Sequence, residues 1–181
     1  MPLSARRRFE LINWYPPFIG AGIRVTGIDA GFTTVTVGMK LRWWNKNIFG
    51  TQFGGALYMM CDPFFVAILM QNIGRDYIVW DKAASIRFLK PGRSDVHAVF
   101  HIPPDEIARV KAEADTRGKS EPEYTADIVD RDGTVIATVH KTLYVRRKAA
   151  AMTRLNPASP PSVRRWRSRR ETPGSPARTR A

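Results

Sequence analysis

The 181-residue sequence has one cysteine, Cys61, so no intrachain disulfide is possible, and a lone thiol inside an apolar stretch reads as buried and inert. Histidine is nearly as scarce: His97, His101 and His140 are the only three, and none precedes position 97. His97 and His101 share a strand face four residues apart, too far along a strand to chelate one ion readily. No metal and no other cofactor is expected. No phosphate-binding Gly motif, dinucleotide fingerprint or Ser-His-Asp signature stands out. No apolar run is both long and unbroken. The best one, Gly54 to Ile73, is interrupted by Asp62, Pro63, Gln71 and Asn72, and it reads as a buried core helix rather than a membrane span.

Acid is also short. Sixteen Asp and Glu face 29 Lys and Arg, a formal net charge of +13. Beyond Ala149 eight arginines face one acid, Glu171, so +7 of the +13 belongs to residues 149–181. Pro, Ser, Arg, Thr and Ala dominate there, the composition of a solvated, disordered tail. Such a tail can touch nucleic acid through counterion release, but nothing in the rest of the chain resembles a reading helix or an aromatic RNA platform, so no specific nucleic-acid partner is expected. Residues 1–8 read as a flexible basic start. Arg6, Arg7 and Arg8 are followed by no sustained apolar core, so no signal peptide is read there. With a single free thiol, a reducing, cytoplasmic setting is the expectation.

Between these ends, residues 9–148 read as one domain. Phe9 to Gly22 is a packed lead-in. Ile23–Asp29 is strand-like. Val35, Val37, Met39 and Leu41 then alternate with Thr34, Thr36, Gly38 and Lys40, a half-buried strand. A loop from Asn45 to Gly55 leads into a long helix over roughly Gly54 to Gly74, with Gly74 placed to stop it. Strands follow at Ile78–Lys90 and Val96–Ile102. Ile107, Val110 and Ala114 recur at helical spacing. Glu123–Asp130 and Thr134–Val145 are two more strands, joined by the turn Arg131-Asp132-Gly133. One apolar helix and about five to six antiparallel strands make an α+β fold in which the sheet curls around the helix. A sheet of this kind leaves open edges, so a homodimer is expected.

The chemistry centres on Asp62, a carboxylate inside the apolar run and directly before Pro63. Gly55, Tyr58 and Asp62 fall on one helix face. The free N–H groups of Gly54 and Gly55 at the helix start can receive an oxyanion, and Asp62 can deprotonate water or attack as a nucleophile. Asp62-Pro63 is equally the pattern of an N-cap followed by a first-turn proline, with a helix beginning at Pro63. Both readings stand on residue chemistry alone.

Phe53-Gly54-Gly55 followed by Asp62 resembles the hotdog-fold thioesterases, many of which carry His-Gly-Gly at the start of the central helix and an acid seven residues after the second glycine. The wider pattern, GTQFGGALYMMCDPFF through GRDYIVWDKAASIRFLKPGR to KTLYVRRK, is similar to a little-characterised bacterial branch of that superfamily over roughly residues 10–148. The resemblance implies hydrolysis of acyl-CoA-type thioesters, on coenzyme A or an acyl carrier, at a site shared between two subunits of a dimer or a dimer of dimers. It assigns Asp62 as base or nucleophile and the Gly54 amide, with Gly55 nearby, as oxyanion donor. Asn47, six residues before Phe53, would position water or the carbonyl, and Asp81, ten before Pro91, would support that water. The departure is Phe53, which cannot hydrogen-bond where the family's His does. It favours the alternative of a non-catalytic acyl-thioester binding or regulatory module. A hydratase is disfavoured because the first histidine is His97.

The remaining candidates each have a plain counterpart. Phe53, Tyr58 and Trp80, with Trp43 and Trp44, suit an acyl pocket or ordinary packing. Lys90, Arg93, Arg146 and Arg147 suit the phosphates of coenzyme A or a solvated surface. Asp81 suits the site or an ion pair across the sheet.

Overall fold

A computed structural model describes residues 5–148; the arginine-rich segment 149–181, expected as a tail, lies outside the described residues. Six strands form one antiparallel sheet: β1 Ile23–Ile28, β2 Thr34–Met39, β3 Tyr77–Phe88, β4 Val96–His101, β5 Glu123–Asp130 and β6 Val135–Arg147, in the order β1-β2-β4-β5-β6-β3. The helices are α1 Ala5–Glu10, α2 Pro16–Ala21, α3 Gly54–Met59, α4 Phe64–Ile73 and α5 Pro104–Arg117. This is the hotdog architecture, with α3 and α4 as the filling. Helix α1 covers residues 5–8 of the stretch expected as a flexible start.

Period-two patterning explains the sheet's inner face. Val35, Val37 and Met39 of β2 point inward and pair with Phe100, Ala98 and Val96 of β4, all buried. Helix α4 drops Phe64, Phe65, Ile68 and Leu69 onto that face. Phe64 stacks on Phe100 with ring centroids 5.0 Å apart, and Phe65 stacks on Tyr124 at 5.0 Å. Each such buried side chain is worth about 1.5–3 kcal/mol, so the helix is held by its apolar girth rather than by helix propensity. Ile107, Val110 and Ala114 are the buried stripe of α5, as their spacing predicts.

The central helical span is broken in its hydrogen bonding. Helix α3 ends at Met59, residues Met60–Pro63 form a turn, and α4 starts at Phe64. Pro63 is the cause: it has no N–H, and its ring clashes with a preceding helical carbonyl. The break falls near the middle of the expected span and puts Asp62 on an irregular stretch instead of a regular helix face. Gly74 ends α4 as expected, at φ 98°.

Candidate active site

Asp62, on that break, meets a partner that the local sequence does not announce. Lys141 lies on β6, whose inward set is Ala137, Val139, Lys141, Leu143 and Val145. Its side chain is 1% exposed. The ammonium donates to the backbone carbonyl of Asp62 at 2.8 Å, to Asp62 Oδ1 at 3.1 Å and to Asp81 Oδ2 at 2.8 Å. It also sits 5.5 Å above the ring of Tyr58. Three acceptors and an aromatic face thus replace the water that burial removes. Burial opposes the charge, but the contacts with Asp81 and Asp62 outweigh it, and the ammonium's pKa lies above its usual value. Lys141 is therefore cationic at neutral pH.

The break and the ammonium depend on each other. In an unbroken helix the Asp62 carbonyl would accept from the residue four positions on. At the break it is released, and Lys141 takes it. The carboxylate does not cap α4: the cap position is Pro63, and no side chain bonds the first amides of that helix. The N-cap alternative for Asp62 is thereby set aside. The helix does restart after Pro63, but Asp62 spends its Oδ1 on Lys141. Among the described residues its Oδ2 has no partner, and the side chain is 57% exposed.

Asp81 reaches the same ammonium from β3. A register shift between Asp81 and Ala83 places Ala84, rather than Ala83, opposite Lys141 and leaves Asp81 diagonally across from it. Asp81 thus pairs with a lysine across the sheet, not with its neighbour Lys82, which pairs with Glu121. Tyr58 joins this group through its ring face. Trp80 does not. It stacks on Tyr144 at 5.2 Å on the opposite face of the strand.

The other predicted residues gather at the start of α3. Asn47, Gly54 and Lys90, with Phe88, line a groove of about 360 Å³. A β-carbon at Gly54 would come within 3.1 Å of the Phe88 ring. The Phe53 ring lies across Gly55, where a β-carbon would fall 2.6 Å from Cε1. Only glycines fit these two positions without moving those rings. Among the described residues the amides of Gly54 and Gly55 meet no acceptor, as expected of a first helical turn. Asn47 is fully used by its own loop: Nδ2 donates to Thr51 Oγ1 and to the Gln52 carbonyl, and Oδ1 accepts from the amides of Phe49 and Thr51. It shapes the approach to Gly54. Arg93 is exposed and outside this groove.

The Asp62–Lys141–Asp81 group and the Gly54 groove are two separate clusters on one chain. Gly54 and Asp62 are eight residues apart, which at the 1.5 Å rise of a regular helix amounts to about 12 Å along the axis. A carbonyl carbon held at the Gly54 amide would therefore lie well away from the Asp62 backbone.

With the geometry in hand, the sequence matches a family described as "Domain of unknown function (DUF4442)" over residues 7–145. The chain belongs to that family. No curated protein matches the sequence. Among solved structures, the chain is similar to PA5026 of Pseudomonas aeruginosa, described as a protein of unknown function and probable thioesterase. The TM-score is 0.71 and the identity 22%, over 81% of this chain and 98% of that one. It is also similar to the thioesterase HI1161 of Haemophilus influenzae, with TM-score 0.61 and 14% identity over 84% and 97% of the two chains. A third is a mutant form of the P. aeruginosa thioesterase PA1618, with TM-score 0.56 and 16% identity over 78% and 93%. At these identities the likeness shows a shared fold.

Sequence reasoning missed Lys141. The signal was present: along β6 it is the one charged residue in an alternating row of Ala137, Val139, Leu143 and Val145. An ionisable group on an apolar face needs partners, and two unmatched acids, Asp62 and Asp81, were available.

Proposed function

We propose that the protein is a thioester hydrolase acting on acyl-CoA-type substrates, with each site built from two copies of the chain. The observation that carries this reading is the anchored Asp62. Lys141 holds one carboxylate oxygen and the adjoining backbone, while the other oxygen is exposed and free to orient water. That oxygen accepts a proton as water attacks the thioester carbonyl, or attacks the carbonyl itself. The amides of Gly54 and Gly55 from the second copy receive the oxyanion. In the water route the proton passes to the departing thiolate as the C–S bond breaks; in the nucleophilic route the thiolate leaves and takes a proton from solvent, and water then hydrolyses the mixed anhydride to the free acid and the Asp62 carboxylate. Asp81 shares the ammonium and keeps it from neutralising Asp62 alone.

The 12 Å separation supports the second copy, and so does β3. It is the last strand in the sheet order, twelve residues long and exposed over most of its length, with Trp80 and Phe88 among the large apolar residues facing solvent. A long open edge of this kind is a template for another strand. The supported unit is a homodimer, with a dimer of dimers as an extension of it. Lys90 beside the Gly54 groove suits a phosphate of the carrier. A cytoplasmic setting is consistent with the single free Cys61.

A non-catalytic acyl-thioester binding module is the second reading. It is favoured by the same ion pair, which occupies one Asp62 oxygen, and by Phe53, which cannot hydrogen-bond. Hydrolysis of a panel of acyl-CoAs by wild type and Asp62→Asn separates the two. The hydrolase reading expects turnover in wild type and a loss of at least a hundredfold in the variant at equal binding. Binding without turnover, or equal turnover in both proteins, removes Asp62 from the chemistry.

A further inference from the structure

A cleft of about 720 Å³, twice the size of the Gly54 groove, opens on the outer face of the sheet over β1, β2 and β4. Its floor is a notch. Arg24, Gly38 and His97 are consecutive partners across the three strands and all point outward, so Gly38 is a missing side chain in the middle of a row. Packing does not demand the gap. A β-carbon at Gly38 would meet Thr26 Cγ2 at 3.5 Å and the Val96 carbonyl at 3.8 Å, ordinary contacts.

Cations surround the notch. Arg24 lies on β1, and Lys40 and Arg42 in the loop that follows β2; among the described residues none of them makes an ion pair. A fourth, Arg131, is held at 2.8 Å by Asp95, which also accepts the Leu41 amide and so ties the lip of the cleft together. Among the described residues Asp95 is the only acid in the lining, and their net surplus is three positive charges. The remaining wall is flat and apolar: Trp44 is 52% exposed and Ile19 50% exposed. The lip is rigid. Asn45 bonds the carbonyls of Ala21 and Lys40 and packs against Gly22, whose φ of 77° and 2.8 Å clearance to Asn45 Nδ2 admit only glycine.

We infer that this cleft binds the polyphosphate and flat ring of a nucleoside-diphosphate-type ligand, with phosphates over the Gly38 notch and the ring against Trp44. Converging guanidinium groups match phosphate oxygens, an exposed indole offers a stacking face, and the volume is that of a small-molecule site. The ligand is a free nucleotide or the nucleotide end of a coenzyme thioester. Only the second source rests on the proposed hydrolase activity.

The test is calorimetric titration of the full chain with ADP, coenzyme A and pyrophosphate, using wild type, Gly38→Val, Arg24→Ala/Arg42→Ala and Trp44→Ala. Valine suits a strand and fills the notch, so Gly38→Val is expected to stay folded by circular dichroism. ADP binding is expected to weaken at least tenfold in Gly38→Val and in the arginine double variant. Trp44→Ala is expected to weaken ADP several-fold and to leave pyrophosphate unchanged. If coenzyme A displaces ADP and Gly38→Val raises KM for an acyl-CoA without changing kcat, the source is the coenzyme. If ADP binds and coenzyme A does not compete, it is the free nucleotide, and this holds even if Asp62 hydrolyses nothing. No ADP binding, or binding equal in wild type and Gly38→Val, overturns the inference; equal binding assigns the affinity to charge elsewhere, such as the arginines beyond Ala149.

Discussion

Replacing Lys141 with Met tests whether the buried ammonium is the strut between the helix break and β3. Methionine keeps the stem and much of its packing, so the change is mainly electrostatic. The Asp62 carbonyl loses its donor, at a cost of about 1–3 kcal/mol if water does not replace it. Asp62 Oδ1 and Asp81 Oδ2 touch the same nitrogen at 3.1 and 2.8 Å, so they are at most about 6 Å apart. At an effective dielectric near 20, two bare charges at that distance repel by about 3 kcal/mol. Asp62 is 57% exposed and Asp81 28% exposed, so water and salt reduce this to roughly 1 kcal/mol. Against both stands the relief of not burying an ammonium, worth several kcal/mol in a fully dry site but less here, where it is already well solvated by protein. The two costs sum to about 2–4 kcal/mol and the relief offsets part of them, so the expected net loss is about 1–3 kcal/mol, read as a lower midpoint in urea at an unchanged slope. Adding Asp81→Asn to Lys141→Met removes the repulsion and is expected to restore about 1 kcal/mol. A Lys141→Met protein within about 0.5 kcal/mol of wild type, or one that Asp81→Asn does not improve, refutes the strut.

The same ammonium predicts an alkaline limit. Its pKa is raised on folding, so its contribution is complete below the ordinary lysine value of 10.5 and is lost as pH rises through the higher folded value. The stability gap between wild type and Lys141→Met is therefore expected to be flat from pH 7 to 10 and to shrink above that, measured by urea titration at each pH. Cys61 is fully buried, and burial pushes its thiol up to about 12, with Lys141 pulling down and Asp62 pushing up. Iodoacetamide at pH 8 is expected to leave the native protein unlabelled for hours and to label it fully in urea. A site shared between copies predicts complementation. Asp62→Asn and Gly54→Val, each inactive alone, are expected to regain about a quarter of wild-type turnover when unfolded and refolded together, because half of the dimers are mixed and each mixed dimer holds one intact site of two. No recovery, despite mixed dimers shown by mass spectrometry, refutes the shared site.

Much of the fold was readable because the period-two rows of β2 and β4 and the 3.6-residue stripe of α5 are driven by burial of one face, which leaves its period in the sequence. Strand β3 was legible as a strand but not as an edge. The stretch from Trp80 to Phe88 shows no alternation, and nearly every residue of it is exposed. That is the mark of a strand only sparsely covered within one chain, where Asp81 reaches the inner ammonium and Phe88 lies against Gly54. The helix break was hinted at by Pro63, yet proline alone does not say whether the carboxylate beside it caps the new turn or leaves it.

Local residue chemistry thus determined the strands, the apolar helix, the glycines at its start and the presence of two unneutralised acids, since each depends on neighbours a few positions away. The convergence of Asp62 and Asp81 on Lys141, 79 and 60 positions distant, was decided only by the sheet order. Placing β3 beside β6 in one register, with a one-residue shift at Asp81, puts a lysine on the inner face directly beneath the helix break. A contact of that range carries no local signature: its free energy comes from desolvation and charge at a point that exists only once the chain has closed.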